Sequence, residues 1–306
     1  MQNARVLATG LRFPEGPTVM PDGSLVVTEL IGKKLTRITP DGEVSTLAEL
    51  GGSPNGCAIG PDGFLYVTNS GGFAHQDLGG FLVPQGPHHE TQPDDYIGGR
   101  IQRVDPSTGE FTDLYTEVDG NTLKGPNDLV FDGAGGFFFT DHGKRRRRDE
   151  DRGGVYYAKA DGSLVREIHF PVDAPNGIGL SPDGSRLYVA ETHTGRLWAY
   201  DVTGEGEVDG ANRQLVAGLP GFQLFDSLAV EAGGDVCVAT IINGGISVIS
   251  PSGDVEHVPA AGELFDPIVT NIAFGGDDMT TAYVTLSATG RVVACDWPRP
   301  GLRLAH

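Results

Sequence analysis

The chain has 306 residues, 39% of them apolar and 21% charged, enough to bury a sizeable core in one large domain or two ordinary ones. Its formal charge of −19 repels polyanions, so neither nucleic acid nor an anionic membrane is an expected partner. No stretch approaches the ~20 apolar residues of a membrane span, and 46 glycines with 20 prolines carry too much turn chemistry for a helical fold.

The chain starts MQNARVLATG, which lacks an apolar signal core, so a cytoplasmic location is expected. ARVLATG (4–10) reads as a strand. FPEGPTVMPDG (13–23) then opens a unit in which SLVVTE (24–29), KKLTRIT (33–39) and VSTLAE (44–49) follow as further strands, separated by turns such as PDGE. SPNGCAIGPDG (53–63) opens a second unit with FLYVTNS and GRIQRVD, and GPNDLVFDGAGG (125–136) a third with GFFFTDHG and GGVYYAKA. APNGIGLSPDG (174–184) opens a fourth with RLYVAET and GRLWAYD. LFDSLAVEAGG (224–234) and VTNIAFGGDD (269–278) open the last two, followed by DVCVATI with GGISVIS and by TAYVTLS with GRVVACD.

Aligned on this opening, the repeated position is Glu15, Asn55, Asn127, Asn176, Asp226 and Asn271, in steps of 40, 72, 49, 50 and 45 residues. Each repeat is a four-stranded antiparallel meander, and six of them predict an all-β, six-bladed β-propeller spanning 1–306 as one domain. Closing the ring removes most exposed sheet edges. ARVLATG stands where VSTLAEL stands before the second unit, so it is expected to supply the outer strand of the last blade; the tail GLRLAH could compete for that place. The long step holds an insertion at 71–99 whose Phe73, Phe81 and Tyr96 favour an ordered lid near the channel mouth.

The first strand of a propeller blade lines the central channel, so the six repeated positions form a ring at one mouth. Every member carries a side-chain oxygen. Asn is at home in a turn, so Asn55, Asn127 and Asn176 taken singly fit turns, and Asn271 could merely bond the backbone. Glu15 and Asp226 have no such reading. Two carboxylates in a narrow channel repel each other and lose solvation, and a divalent cation held by carboxylate and amide oxygens resolves both costs. The expected cofactor is one such ion, Ca²⁺ first, with Mg²⁺, Mn²⁺ or Zn²⁺ as alternatives. Cys57, Cys237 and Cys295 lack metal or disulfide spacing; Cys57 and Cys237 lie in apolar strand-like runs and read as small buried hydrophobes.

FPEGP, Pro-Asn-Asp at 126–128, PNGIGLSPDG at 175–184 and FDSL at 225–228 together resemble the calcium-dependent β-propeller hydrolases of the gluconolactonase and senescence-marker-protein (regucalcin) family. Diisopropyl fluorophosphatase shares that architecture. The resemblance covers nearly the whole chain and implies a metal held by Glu15, Asn176 and Asp226. It gives Asn127 as a further metal ligand or as a contact to substrate or metal-bound water. It also implies hydrolysis of a lactone or related ester, in which the metal polarises the carbonyl and Asp226 positions or deprotonates the water. Asp128 is the other candidate base, and can equally be a turn residue.

Where regucalcin-like members have an arginine before the substrate-binding asparagine, this chain reads Leu123, Lys124, Gly125; Lys124 supplies the cation but not a bidentate fork. His142, ending the second strand of blade three, could face substrate as a proton carrier, whereas His75, His88 and His89 read as solvated loop residues. Lys144, Arg145, Arg146, Arg147 and Arg148 precede Asp149, Glu150 and Asp151, and read as a self-compensated solvent loop. The expected partner is a small lactone or ester, the chain a monomer or small homo-oligomer. Alternatives are a phosphotriester or organofluorophosphate hydrolase at the same site, a binding propeller with a structural ion, and a strictosidine-synthase-like propeller.

Overall fold

The alternation of apolar and polar positions, broken by Asp-Gly and Ser-Gly turns, produces six antiparallel blade sheets in the computed structural model, which describes residues 1–304; each has the four strands of the repeat, and that of blade 4 adds a short fifth, Glu207–Val208. Blade 1 comprises Pro14–Val19, Leu25–Glu29, Lys34–Ile38 and Val44–Glu49; blade 2 Pro54–Ile59, Leu65–Asn69, Arg100–Val104 and Phe111–Tyr115. Blade 3 comprises Pro126–Phe131, Gly136–Asp141, Gly153–Lys159 and Val165–Val172; blade 4 Pro175–Leu180, Arg186–Glu191, Arg196–Gly204 and Gln214–Gly218. Blade 5 comprises Leu224–Val230, Val236–Ile241, Gly245–Ile249 and Val255–Pro259. Blade 6 has Val269–Gly275, Thr281–Leu286 and Arg291–Asp296, and Gln2–Ala8 adds its outer strand, with Gln2 opposite Asp296 and Arg5 opposite Ala294.

The N-terminal strand therefore closes the ring as expected, and the described residues of the tail, 301–304, do not compete for that place. Gly301 N–H donates to Met279 O at 2.9 Å and Leu302 N–H to Val230 O at 2.8 Å, which lays the tail at the far mouth of the channel. Ala305 and His306 lie outside the described residues. The innermost strands touch in order around the ring, and that of blade 6 meets that of blade 1. Six apolar clusters fill the six gaps between consecutive blades; Leu35, Leu65 and Val67, for example, join blades 1 and 2. Among the described residues the only helix is a turn at Gly262–Leu264, and no helix is long and apolar enough to cross a membrane.

The insertion at 71–99 folds over the face that carries the ring mouth. It forms a small hairpin, Gln76–Asp77 against Leu82–Val83. Leu82 N–H donates to Ala288 O of blade 6 at 2.8 Å, Thr91 N–H donates to Arg145 O of blade 3 at 2.9 Å, and Asp95 pairs with Lys33 of blade 1 at 2.5 Å. Phe73, Phe81, Leu82 and Val83 pack half-buried on Phe13, Ile31 and Ile268. Tyr96 donates its hydroxyl to Lys124 O at 2.6 Å.

The basic run corrects its sequence reading in part. Arg146 does compensate locally, with Asp151 at 2.9 Å and with Asp149. Lys144 is not solvated: it is 1% exposed, donates to Gly72 O at 2.7 Å and lies 3.9 Å from the Phe73 ring centre. The insertion covers it, a contact that sequence spacing does not reveal. Cys237 is buried as expected, while Cys57 is only half-buried, because it lines the central channel.

Candidate metal centre and substrate mouth

All six ring positions are buried: Glu15, Asn55, Asn127, Asn176, Asp226 and Asn271. They do not sit in turns. Each is at or beside a register shift in an innermost strand, between Glu15 and Thr18, Pro54 and Cys57, Pro126 and Leu129, Pro175 and Ile178, Phe225 and Leu228, and Val269 and Asn271. Such bulges re-aim side chains out of the sheet's regular alternation. This one repeats around the ring.

Glycines let neighbouring blades close to this distance. A Cβ on Gly56 would stand 2.7 Å from Asp128 Oδ1 and 2.8 Å from Asn127 O, and one on Gly177 2.8 Å from Asp226 O. Threonine hydroxyls latch the blades at the same level. Thr28 donates to Asn55 O at 2.6 Å, Thr68 to Asn127 O at 2.5 Å and Thr140 to Asn176 O at 2.6 Å, each across to the next blade. Asp141, ending the second strand of blade 3, accepts from the N–H groups of Lys124 and Gly125 at 2.7 Å and fixes the approach to Asn127.

The ring encloses three carboxylates rather than two. Burial pushes the Glu15 carboxyl up to about 8 and Asp128 up to about 7, and raises Asp226 well above the usual range. Asp128 is 8% exposed, and its charge adds to the rise at both Glu15 and Asp226. Among the described residues no lysine or arginine forms an ion pair with any of the three. The sequence offered Asp128 as a base or a turn residue; only the folded ring shows it as a third charge in the same field.

The amides fit a cation. The buried Oδ1 atoms of Asn55 and Asn127 have no hydrogen-bond donor. Asn176 Nδ2 donates to Thr192 Oγ1 at 3.1 Å and Asn271 Nδ2 to Glu15 Oε2 at 3.3 Å, which uses the donor end of each amide; Asn176 Oδ1 accepts only a long bond from the Ser227 hydroxyl, at 3.4 Å. Among the described residues no three His, Cys, Asp or Glu side chains form a metal-holding group by themselves, so amide oxygens would have to complete any shell. Below the ring the channel is a cavity of about 470 Å³ whose lower wall includes Phe131, Val230, Phe274 and Leu302. Cys57 lines it, and burial pushes its thiol up to about 12, so it stays protonated.

The other predicted site residues divide. His142 lies on the ring face, its N–H donating to Gly125 O at 2.9 Å; burial and the nearby His193, Lys144 and Arg145 push its imidazole down to about 3, so it is neutral. Lys124 turns its ammonium to Thr122 Oγ1 at 2.8 Å, in an exposed bond rather than toward a ring member. His75, His88 and His89 are exposed, as expected. Sequence reasoning passed over His193, whose ring packs edge-on to His142 with centroids 5.5 Å apart. Its signal was there: Glu191-Thr192-His193 closes the second strand of blade 4 as Asp141-His142 closes that of blade 3.

A family model described as the SMP-30/Gluconolactonase/LRE-like region matches residues 13–288. The chain belongs to this family. Among its relatives is a gluconolactonase of Zymomonas mobilis, 25% identical, with 94% of this chain aligned to 79% of that one. A solved gluconolactonase from Xanthomonas campestris superposes with a TM-score of 0.75 at 22% identity, over 96% of this chain and 89% of the other. A calcium-binding regucalcin from Agrobacterium tumefaciens gives 0.69 at 18% identity, over 99% and 98%. At these identities the two structures establish the shared fold of this gluconolactonase-like chain.

Proposed function

We propose that this chain is a divalent-metal-dependent hydrolase that opens a lactone at the ring mouth, with Ca²⁺ as the ion. The observation that carries the reading is the group of Glu15, Asp128 and Asp226, buried together without a cationic partner and beside amide oxygens without donors. Left alone, this arrangement repels itself and wastes hydrogen bonds. Glu15, Asp226, Asn176 and Asn127 would hold the ion. When bound, it supplies Lewis-acid polarisation of the ester carbonyl. The names of the relatives, gluconolactonase among them, support the lactone as substrate.

The chain's own residues account for the remaining chemistry. Water adds to the carbonyl carbon, the ring C–O bond breaks, and the product is a hydroxy acid. Asp226 orients the water and takes its proton, with Asp128 as the neighbouring carboxylate able to share that role. The proton passes to the departing ring oxygen, which leaves as an alcohol. Asn127 Nδ2 and the neutral His142 offer hydrogen bonds to substrate at the rim. The segment at 71–99 shields this face from water.

The deciding experiment is chelation followed by a pH-stat assay on a lactone panel. Turnover should vanish on chelation and return with Ca²⁺. An absence of turnover with every divalent ion tried would leave a binding propeller with a structural ion.

A further inference from the structure

Beside the ring mouth, between the loop after the second strand of blade 3 and the edge of blade 4, lies a separate cavity of about 50 Å³. A buried water needs about 10–15 Å³ of such space, so a small polar head group fits. His142, Lys144, Arg145, Arg152, Asp173 and His193 form much of its wall.

Arg145 has no carboxylate partner there. Among the described residues, the other half-buried arginines are held by carboxylates: Arg37, Arg100, Arg103, Arg146, Arg166, Arg186, Arg213 and Arg299. Arg291 is held by the carbonyls of Glu263 and Phe265 at 2.8 and 2.9 Å. Arg145 meets only an imidazole, its Nη2 standing 3.2 Å from His193 Nε2. Its Nε is shielded from solvent and has no hydrogen-bond partner. In a chain with 41 acidic residues against 22 basic ones, a shielded guanidinium N–H without an acceptor needs a reason.

The surroundings aim this arginine. His193 Nδ1 stands 3.1 Å from Asp173 Oδ1, so a neutral His193 donates to Asp173 and accepts from Arg145. Asp173 is thereby engaged. Asp151 is engaged by Arg146, at 2.9 Å and 3.0 Å, and Glu150 is exposed without an ion pair. The cavity also adjoins the ring: His142 N–H bonds Gly125 O, two residues before Asn127, and Thr192, beside His193, accepts from Asn176.

We propose that this cavity is an oxyanion subsite built on Arg145, and that the lactone opened at the ring carries a carboxylate or phosphate group which Arg145 receives. A guanidinium presents N–H donors as a planar fork that matches either group. The substrate half of this inference rests on the lactonase reading; the binding half does not.

Two measurements separate the halves. The first is an NMR titration of the His142 and His193 ring protons with inorganic phosphate, in the full chain and in R145Q and R145K. Saturable shifts are expected in the parent, lost in R145Q and partly kept in R145K, which retains charge without the fork. Shifts that are absent, or equal in parent and R145Q, overturn the subsite. The second compares a γ-lactone with and without a ring carboxylate. R145Q should raise KM for the carboxylated lactone about tenfold more than for the neutral one. Equal changes for both overturn the substrate half and leave a site for a free anion. If no lactone is turned over, the lactonase reading fails and the titration alone decides the subsite. Should R145Q not fold, R145K carries the same two comparisons.

Discussion

The hydroxyl of Thr140 in blade 3 donates to the backbone carbonyl of Asn176 in blade 4 at 2.6 Å, so the outer end of one blade's second strand fixes a ring residue of the next. Thr28 and Thr68 do the same for Asn55 and Asn127. The latch is missing after blade 4, where the equivalent residue is Ala190, and Thr240 and Thr285 at the equivalent places in blades 5 and 6 bond within their own blades. Three of the six ring positions are thus held by inter-blade hydrogen bonds as well as by the apolar packing between sheets.

Thr140→Val keeps the side chain's shape and strands a buried carbonyl. It should cost about 1–3 kcal/mol of stability and weaken Ca²⁺ binding through Asn176. Denaturant unfolding and calorimetry read the two effects; unchanged affinity would confine the latch to a structural role.

Glu15→Gln and Asp226→Asn should split affinity from stability. Each removes one of three mutually repelling carboxylates, so the chelated protein should melt higher than the parent. Each also removes a ligand oxygen's charge, so Ca²⁺ affinity should fall at least about tenfold. Conversely, Ca²⁺ should raise the melting temperature of the parent, as any ligand specific to the folded state does.

Gly56→Ala places a methyl 2.7 Å from Asp128 Oδ1 and 2.8 Å from Asn127 O, both in the next blade. Forced separation of blades 2 and 3 should cost about 1–3 kcal/mol and reduce turnover. Gly63→Ala makes a useful control, because a Cβ there meets nothing within 4 Å, although its positive φ adds local strain.

Lys144 gives a pH signature. Burial pushes its ammonium down to about 7 from an ordinary 10.5, against the pull of Asp141 and Asp151. Between those values the unfolded chain binds a proton that the folded chain does not, so stability contributed at this site rises with pH. Relative to Lys144→Met, the parent should gain stability from pH 7 to 10 and show a flat difference below pH 6. A difference that falls with pH would refute the assignment.

Deleting residues 75–95 removes the hairpin and its bond to Ala288 but no ring residue. Lactone preference should change while Ca²⁺ affinity stays within a few-fold of the parent, measured by pH-stat assay and calorimetry. Loss of the ion would instead make the segment part of the metal site.

The six-fold repeat, the strand order, the closing role of residues 4–10 and the ring positions were all legible in the sequence. Each depends on local pattern: alternation sets the strands, Asp-Gly turns set the hairpins, and the recurring opening motif sets the equivalent places. Glu15 and Asp226 stood out for the same reason, as charges where the pattern asks for asparagine. What tertiary structure alone decided are relations between residues far apart in the chain. Asp128 joins the carboxylates because a bulge turns its side chain into the channel, and Lys144 is buried because a segment some 70 positions earlier covers it. Arg145 is left without an acid because Arg146 takes Asp151, His193 takes Asp173 and Glu150 stands exposed without an ion pair to it. Charge and period travel with the local sequence; burial and partnership are set by which blades closure brings together, and no short stretch encodes that.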